Sequence, residues 1–417
     1  MLTLLYATLA GVVFVVTGWS LYNLPILVAG VNALLTSRRE PKRKPVRTLV
    51  CPSFSIVVPV RDEERVVGRL LNALVGLDYP ADKREIIVVE DGSTDNTLNI
   101  CLEFAKKHGS MVKVLHRPFS DGKPSALNYG VQRASGDIIA IFDADSVPAR
   151  DALLNVLPYF EDLKVAAVQG RTMCVNSEEN MLTKFLSYEE AAWCEAYLRG
   201  KDALNLFVSL MGSCQFIRRD VLEAVGGFDE RYLAEDMELS ANLTDHGYRT
   251  KYAPDVRALQ ESPSELKQLL RQRTRWFRGW MQVAFRYGGL MAKPSRVKVD
   301  AEATLLGPFI LIGSLAGYVC AFLAFFAPAP MDSLWRFIMQ SSAISTLFAA
   351  ILAGLALIWL SKPRRLSNLL WLPFLYGYCC LQAFIALYAA GLILLRRPAK
   401  WLKTEKKGSV SQSRLNL

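Results

Sequence analysis

The run from Leu2 to Leu35 carries no charged side chain and is followed at once by Arg38, Arg39, Lys42, Arg43, Lys44 and Arg47. A membrane span needs only about 20 apolar residues, so this run has length to spare for tilt. A signal peptide carries its positive charge ahead of the apolar core, not behind it, so the run reads as a retained anchor helix. By the positive-inside rule its amino end faces outward and the middle of the chain faces the cytoplasm. Three further apolar runs close the chain: Leu305 to Pro330, Leu334 to Leu360 and Leu369 to Leu395. The loop with Lys362, Arg364 and Arg365, and the tail with Arg396, Arg397, Lys400, Lys403, Lys406 and Lys407, should both be cytoplasmic. Three full crossings would put the tail outside. One run, the last in preference to the others, is therefore expected to be a re-entrant hairpin or a helix lying in the membrane plane.

Composition supports a hybrid molecule. The chain is 52% apolar with a positive mean hydropathy, yet 21% of it is charged, which suits neither an ordinary soluble enzyme nor a bare membrane bundle. The acidic clusters all fall in a middle stretch of about 210 residues, a comfortable size for one domain. The division expected is an anchor over 1–36, a cytoplasmic domain over 50–260, interface helices over 261–300, a membrane region over 304–396 and a basic tail over 397–417. The placement expected is a multi-pass protein of the cell inner (plasma) membrane. Eight cysteines without a Cys-x-x-Cys pair and three scattered histidines argue against zinc and disulfide frameworks. The net charge of +10 gathers beside apolar runs, where it meets membrane lipids rather than nucleic acid.

The middle domain alternates strands and helices. Phe54 to Val60 and Arg84 to Val89 are short β-branched runs with a helical stretch, Glu63 to Leu77, between them. The pattern continues through Met111 to Leu115, a helix near Ser125 to Ala134, and Asp137 to Phe142. That order predicts an α/β fold with a mostly parallel sheet and helices on both faces, binding its ligand at the carboxyl ends of the strands. Asp91 and Asp143 each directly follow a strand.

Four acidic groups and one aromatic-basic segment carry the chemistry. Asp143-Ala144-Asp145 can turn one carboxylate toward a nucleoside and offer the other to a hard cation such as Mg2+ or Mn2+, which takes oxygen ligands and keeps substrate phosphates and waters. Alone, an Asp-x-Asp pair is equally a set of solvated loop acids. In Glu90-Asp91-Gly92-Ser93-Thr94-Asp95, Ser93 or Asp95 is placed to cap a helix starting near Asn96, leaving Asp91 to accept from a base or ribose. Glu235-Asp236 opens a helical stretch, Met237 to Thr244, where a carboxylate is stabilised by the helix dipole. As a catalytic group, Asp236 would deprotonate an acceptor hydroxyl, with Glu235 shaping its position. From Ser264 to Phe285 apolar residues recur at helical spacing opposite Lys267, Arg271, Arg273, Arg275 and Arg278, the pattern of a helix on a membrane surface. Lipid contact does not account for the grouping of Gln272, Arg275 and Trp276, which suits phosphate oxygens and a stacked sugar ring.

Over roughly Phe54 to Trp280 the chain resembles the membrane-embedded family 2 glycosyltransferases, the group of poly-N-acetylglucosamine, hyaluronan, chitin and cellulose synthases, and looks most like the poly-β-1,6-N-acetylglucosamine branch. The resemblance implies a GT-A type fold and inverting transfer from a UDP-sugar donor to a carbohydrate or lipid-linked acceptor. It makes Asp91 and Asp143 contacts to the uridine, Asp145 with Asp143 the metal ligands, and Asp236 the base beside Glu235. Lys123 would touch the donor. Gln272, Arg275 and Trp276 match the family's Gln-x-x-Arg-Trp motif, which holds the diphosphate and flanks the acceptor. Gly212-Ser213-Cys214-Gln215 falls where these synthases place an acceptor loop, without the aromatic-cysteine prefix of cellulose synthases. A small membrane accessory subunit is left open as a partner. Three activities compete: processive polymer synthesis with export, favouring N-acetylglucosamine; single transfer to a lipid or polyprenyl phosphate; and a catalytically silent assembly or transport protein.

Overall fold

The computed structural model describes residues 2–37, 51–289, 294–326, 365–398 and 408, with 335, 336, 340, 341, 344 and 351 standing singly. The basic cluster at 38–47, nearly all of the run Leu334 to Leu360, Lys362, Arg364 and the tail lysines lie outside the described residues.

Eight strands form one sheet: β1 (Phe54–Val60), β2 (Arg84–Asp91), β3 (Val112–Arg117), β4 (Ile138–Ile141), β5 (Val147–Pro148), β6 (Val165–Cys174), β7 (Gln215–Arg218) and β8 (Arg249–Gln260). Their order is β3-β2-β1-β4-β7-β6-β8-β5. The first four are mutually parallel, as the alternating pattern predicted. Beyond β4 the sheet becomes mixed, with β7 antiparallel to β4 and β6, β8 parallel to β6, and β5 antiparallel to β8. β1 is the switch point: the chain runs from it to β2 and β3 on one side, then returns to β4 on the other. The crevice at its carboxyl edge therefore lies between the ends of β2 and β4, where a ligand of such a sheet belongs.

The strand periodicity decides which helix covers which face. Alternate residues Ile56, Val58, Ile86 and Val88 pack under α2 (Val67–Val75), α3 (Thr97–His108) and α5 (Ala152–Val156). Val57, Ile87, Val89, Ile139 and Ile141 pack under α4 (Lys123–Val131), α8 (Arg219–Ala224) and α9 (Glu235–Asp245). A one-residue slip of β1 would exchange the two sets and expose neither to its own helices.

The remaining long elements are α1 (Leu2–Ser37), α6 (Met181–Ala192), α7 (Arg199–Ala203), α10 (Leu266–Tyr287), α11 (Arg296–Leu305), α12 (Gly307–Phe325) and α13 (Leu372–Leu394). A π-helical turn, Trp193–Leu198, joins α6 to α7. Among the described residues two helices are long and apolar enough to cross a membrane, within 4–37 and 366–394, or three if α11 and α12, bent by 50°, count as one. α1 packs directly on the π-helical turn and α7. Gly30 meets the backbone of Ala196 and Gly200 that of Ile26, with no room for a Cβ at either crossing, the small-residue packing that membrane helices use. A buried ion pair adds to the joint: Lys201 Nζ lies 2.8 Å from Asp300 Oδ2 and donates to Thr304 at 2.6 Å, and Tyr22 of α1 donates to the same Asp300.

The last apolar run is tied to α6 and α10 at its two ends. Trp371, just ahead of α13, packs edge-on against Phe185 of α6 at 5.7 Å, and beyond its far end the carbonyls of Arg397 and Pro398 accept from Arg278 of α10.

Candidate active site

The site is built where β2, β4 and β8 end and α4, α9 and α10 meet them. After β2, Gly92 takes φ +70°, and the turn is closed by Ser93 N donating to Glu90 at 2.6 Å. Asn96, the N-cap residue of α3, makes no side-chain cap bond, and Asp95 rather than Ser93 holds the helix start, accepting from Thr97 N at 3.0 Å. Asp91, the last residue of β2, is buried at the carboxyl edge of the sheet. It is held there: Arg117 lies 3.2 Å away and Ser120 donates to it. Burial pushes its carboxyl above the ordinary range, against the pull of Ser120 and Arg117.

After β4, the backbone N–H of Asp143 donates to Ser213 Oγ at 3.0 Å, which fixes the start of the Asp-Ala-Asp turn. The two carboxylates converge on the amide of Gln260, whose Nε2 lies 3.5 Å from Asp143 Oδ2 and 3.3 Å from Asp145 Oδ1. Gln260 ends β8, a strand with no motif to announce it. Next to it Glu261 pairs with Arg69 at 2.6 Å, and Arg69 donates to the Asp145 carbonyl at 3.2 Å. Two carboxylate oxygens gathered around one point are a hard-oxygen donor set that fits a divalent cation taking its remaining ligands from phosphate and water. Among the described residues no third histidine, cysteine or carboxylate completes a protein-only cage. An ion here would therefore arrive with its substrate's oxygens.

Lys123 joins the halves of the site. Its Nζ stands 2.8 Å from Asp143 Oδ1 and 3.2 Å from Glu235 Oε1, and donates to the Gly212 carbonyl at 2.9 Å. Burial disfavours its charge, but Asp143, Glu235 and Asp236 outweigh that and hold the ammonium protonated. Gly212, at φ +77°, is strained for any residue with a side chain, and a Cβ would lie 3.1 Å from Lys123 Nζ and 3.2 Å from Asp236 Oδ2, so one of the two would have to give by a few tenths of an ångström. The 212–215 segment thus backs the Lys123 and Asp143 side of the site as well as facing Asp236.

Asp236 sits in the first turn of α9, its Oδ1 accepting from Met237 N at 2.7 Å. Burial, then the adjacent Glu235, pushes its carboxyl up to about 7, with Lys123 and Arg275 pulling the other way. A carboxylate poised there matches a general base working near neutral pH.

α10 departs from the surface helix that its sequence suggests. Lys267 and Arg271 are exposed, but Arg273 pairs with Glu189 of α6, Arg275 approaches Asp236, and Arg278 is buried against the carbonyls of Arg397 and Pro398. Acidic groups and carbonyls on neighbouring elements draw three of the five cations inward. Asp143, Asp145, Lys123, Glu235, Asp236 and Arg275 come together in one cluster, and Asp91 stands across β1 with Arg117 and Ser120. Trp276 is 38% exposed and takes its ring contact from Arg273 at 4.3 Å; Gln272 is half-buried on the same face of the helix. Sequence reasoning missed Gln260, Arg117, Ser120 and Glu189, which sit in no spaced motif.

The sequence profile described as glycosyltransferase-like family 2 matches residues 52–279. A Bacillus subtilis protein described as a probable glycosyltransferase, YdaM, is 29% identical over 93% of this chain and 94% of its own. A β-monoglucosyldiacylglycerol synthase from a Nostoc species is 34% identical over 64% of this chain and 57% of its own length. Among solved structures, a mannosyltransferase from Pyrobaculum calidifontis in complex with GDP-mannose and Mn2+ superposes with a TM-score of 0.60, covering 94% of this chain and all of that one at 20% identity.

Proposed function

This chain belongs to glycosyltransferase-like family 2, and we propose that it transfers a hexosyl unit from a nucleoside diphosphate sugar, with inversion, to a hydroxyl acceptor presented at the membrane. The observation that carries the reading is the Asp236 carboxyl, raised to about 7 and set beside a lysine that also holds Asp143. Asp236 takes the proton from the acceptor hydroxyl as its oxygen bonds to the anomeric carbon. The bond from that carbon to the diphosphate oxygen breaks on the opposite side, so an α-linked donor gives a β-linkage without a sugar-enzyme intermediate. Lys123 and Arg275 place positive charge where the diphosphate leaves, and Asp91 accepts from the nucleoside. Asp143 and Asp145 would hold a divalent cation, which when bound neutralises charge on the leaving group.

A lipid hydroxyl is the acceptor we favour, supported by the lipid named for the Nostoc relative and by the apolar helices packed on the domain. Stepwise polymer synthesis from UDP-N-acetylglucosamine is the second reading, supported by the Gln272, Arg275 and Trp276 grouping beside those helices. A silent nucleotide-sensing protein would need no base at Asp236. The test is incubation of the purified chain in vesicles containing diacylglycerol with radiolabelled UDP-glucose, UDP-N-acetylglucosamine or GDP-mannose and Mg2+ or Mn2+. Labelled glycolipid supports the first reading and high-mass product the second. Asp236→Asn should abolish transfer and keep UDP binding; retained turnover in that variant removes the base.

A further inference from the structure

We propose that Gly279 of α10 is a positioning residue for the base: having no side chain, it lets α10 seat on Ala234, the residue just before Glu235-Asp236, and so sets how near Arg275 stands to Asp236. This rests on the transferase reading above. Ala234 is the N-cap residue of α9 and gives its helix no side-chain cap. Alanine is a poor choice for that position, where Ser, Thr, Asp or Asn would accept from a free N–H of the first turn. The Met237 N–H is taken instead by Asp236 Oδ1. What holds the start of α9 is the helix packed against it.

Gly279 makes that packing close. A Cβ there would lie 2.7 Å from the Ala234 Cβ and 2.9 Å from the Ala234 backbone nitrogen. Carbons in ordinary contact stand about 3.5–4.0 Å apart, and neither a Cβ nor a main-chain nitrogen can swing aside, so one added methyl group would part α9 and α10 by about 1 Å. Glycine inside a 22-residue helix destabilises it relative to alanine. The contact with Ala234 accounts for its presence, since α10 by itself would be better served by alanine.

Farther along, the two helices are clamped. Tyr287 of α10 donates to Oε1 of the buried Glu238 at 2.6 Å, and Ala234, Met237 and Ala241 on the α9 side pack with Trp280, Val283 and Ala284 of α10. Arg275 lies one turn before Gly279 on the same face of α10, on the side away from the clamp, because residues four apart line up along a helix. With the Tyr287 end tied, a wedge at position 279 moves the Arg275 end away from α9. Asp236 is faced by Glu235 on its own helix, Lys123 on α4 and Arg275 on α10. Of these only Arg275 rides on α10, so the wedge withdraws one cation and leaves Lys123 in place.

The experiment uses the full chain in vesicles, with the donors and the diacylglycerol of the transfer assay above. Gly279→Ala should lower kcat about tenfold, with UDP binding and acceptor KM changed by less than about threefold. It should also move the acid limb of the rate up by about half a pH unit, the change when a unit charge recedes about 1 Å from contact distance at an effective dielectric constant near 20. Adding Ala234→Gly removes the nearest atom and should restore part of both effects. An unmoved limb, or a kcat loss that Ala234→Gly does not relieve, overturns the proposal. If Gly279→Ala does not bind UDP, Tyr287→Phe decides by opening the clamp: kcat should fall about threefold with acceptor KM little changed, and an unchanged kcat overturns the proposal. Calorimetry separates this proposal from the transferase reading. At about pH 8, Asp236→Asn should raise Tm by more in the Gly279→Ala background than in the wild type, because the ionised aspartate has lost a cation there. That wider gap, found with a wild type that transfers no sugar, upholds the placement of Arg275 and overturns the transferase reading; an unchanged gap overturns the placement.

Discussion

Asp236 makes the pH profile of this enzyme the sharpest check on its chemistry. An ordinary aspartate, with a pKa of about 4, is fully ionised through the neutral range and would give a flat acid limb there. With its carboxyl pushed up to about 7, Asp236 is ionised to roughly one tenth a unit below neutrality and nine tenths a unit above. The rate, kcat/KM for the acceptor at saturating donor, should therefore rise roughly tenfold between about pH 6 and about pH 8 along a single-proton limb. Lys123 gives the control, because it lowers the Asp236 value through charge alone. Lys123→Met should move the limb to higher pH while lowering the plateau, since on the proposed reaction the same ammonium would face the diphosphate. The assay is initial rate of labelled transfer over a buffer series, with UDP binding followed in parallel. A flat profile down to about pH 5, or a limb unmoved by Lys123→Met, would refute the assignment of the base.

The same geometry sets other outcomes. Asp236→Asn should leave thermal stability near unchanged below about pH 4 and raise Tm at and above neutrality: a raised carboxyl costs stability progressively as pH climbs from its unfolded value of about 4 to its folded value of about 7, and calorimetry of the two proteins reads the difference. Gly212→Ala should cut turnover on the order of a hundredfold with the fold retained, because φ +77° is strained for alanine and the methyl group displaces Lys123 or Asp236. Asp145→Ala should weaken cation-dependent donor binding, read as a higher Mn2+ requirement in UDP titrations, while binding of UDP without added cation is little changed. Glu85 tests the fold rather than the site. Its burial is overcome by bonds from Lys113, Ser55 and Ser135 that pull its carboxyl down to about 2, so its stabilisation is present above about 4.5 and is lost as pH falls toward 2. Glu85→Ala should cost about 3 kcal/mol in denaturant unfolding at neutral pH.

The parallel half of the sheet was legible because its strands are continuous β-branched runs buried on both faces, Phe54–Val60 matching residue for residue. The mixed half was not. Arg249–Gln260 carries polar residues along much of its length, Val165–Cys174 loses its apolar run after Val168, and β7 is only four residues long, so neither alternation nor apolar content marks these strands over their full extent. The site divides in the same way. Residues with fixed spacing from a strand end, such as Asp91, Asp143 and Asp145, could be found by motif. Gln260 and Glu189 gain their meaning only when β8 returns beside β6 and α13 folds against α6, contacts that join positions more than a hundred residues apart. The inward turn of Arg273 and Arg278 was hidden for a related reason: a helical projection shows which face is charged, but not whether the neighbour is a lipid headgroup or a carboxylate.

The balance of charge explains why such a site would bind its nucleotide with a cation rather than before it. Asp143, Asp145, Glu235 and Asp236 stand against Lys123 and Arg275, so the cluster has more anions than cations before any diphosphate enters. A bare diphosphate would meet net repulsion on its way to the anomeric position, in a partly buried setting where that repulsion is poorly screened. Protonating Asp236 relieves one charge at the cost of the base. A divalent cation at Asp143 and Asp145 relieves two and leaves Asp236 to work. The raised Asp236 carboxyl and the paired aspartates are thus two responses to one electrostatic excess, and loading the second should lower the pKa of the first. If the acid limb of UDP-saturated enzyme stood at the same pH at low and at saturating Mn2+, the two would be uncoupled and this account of the site would fail.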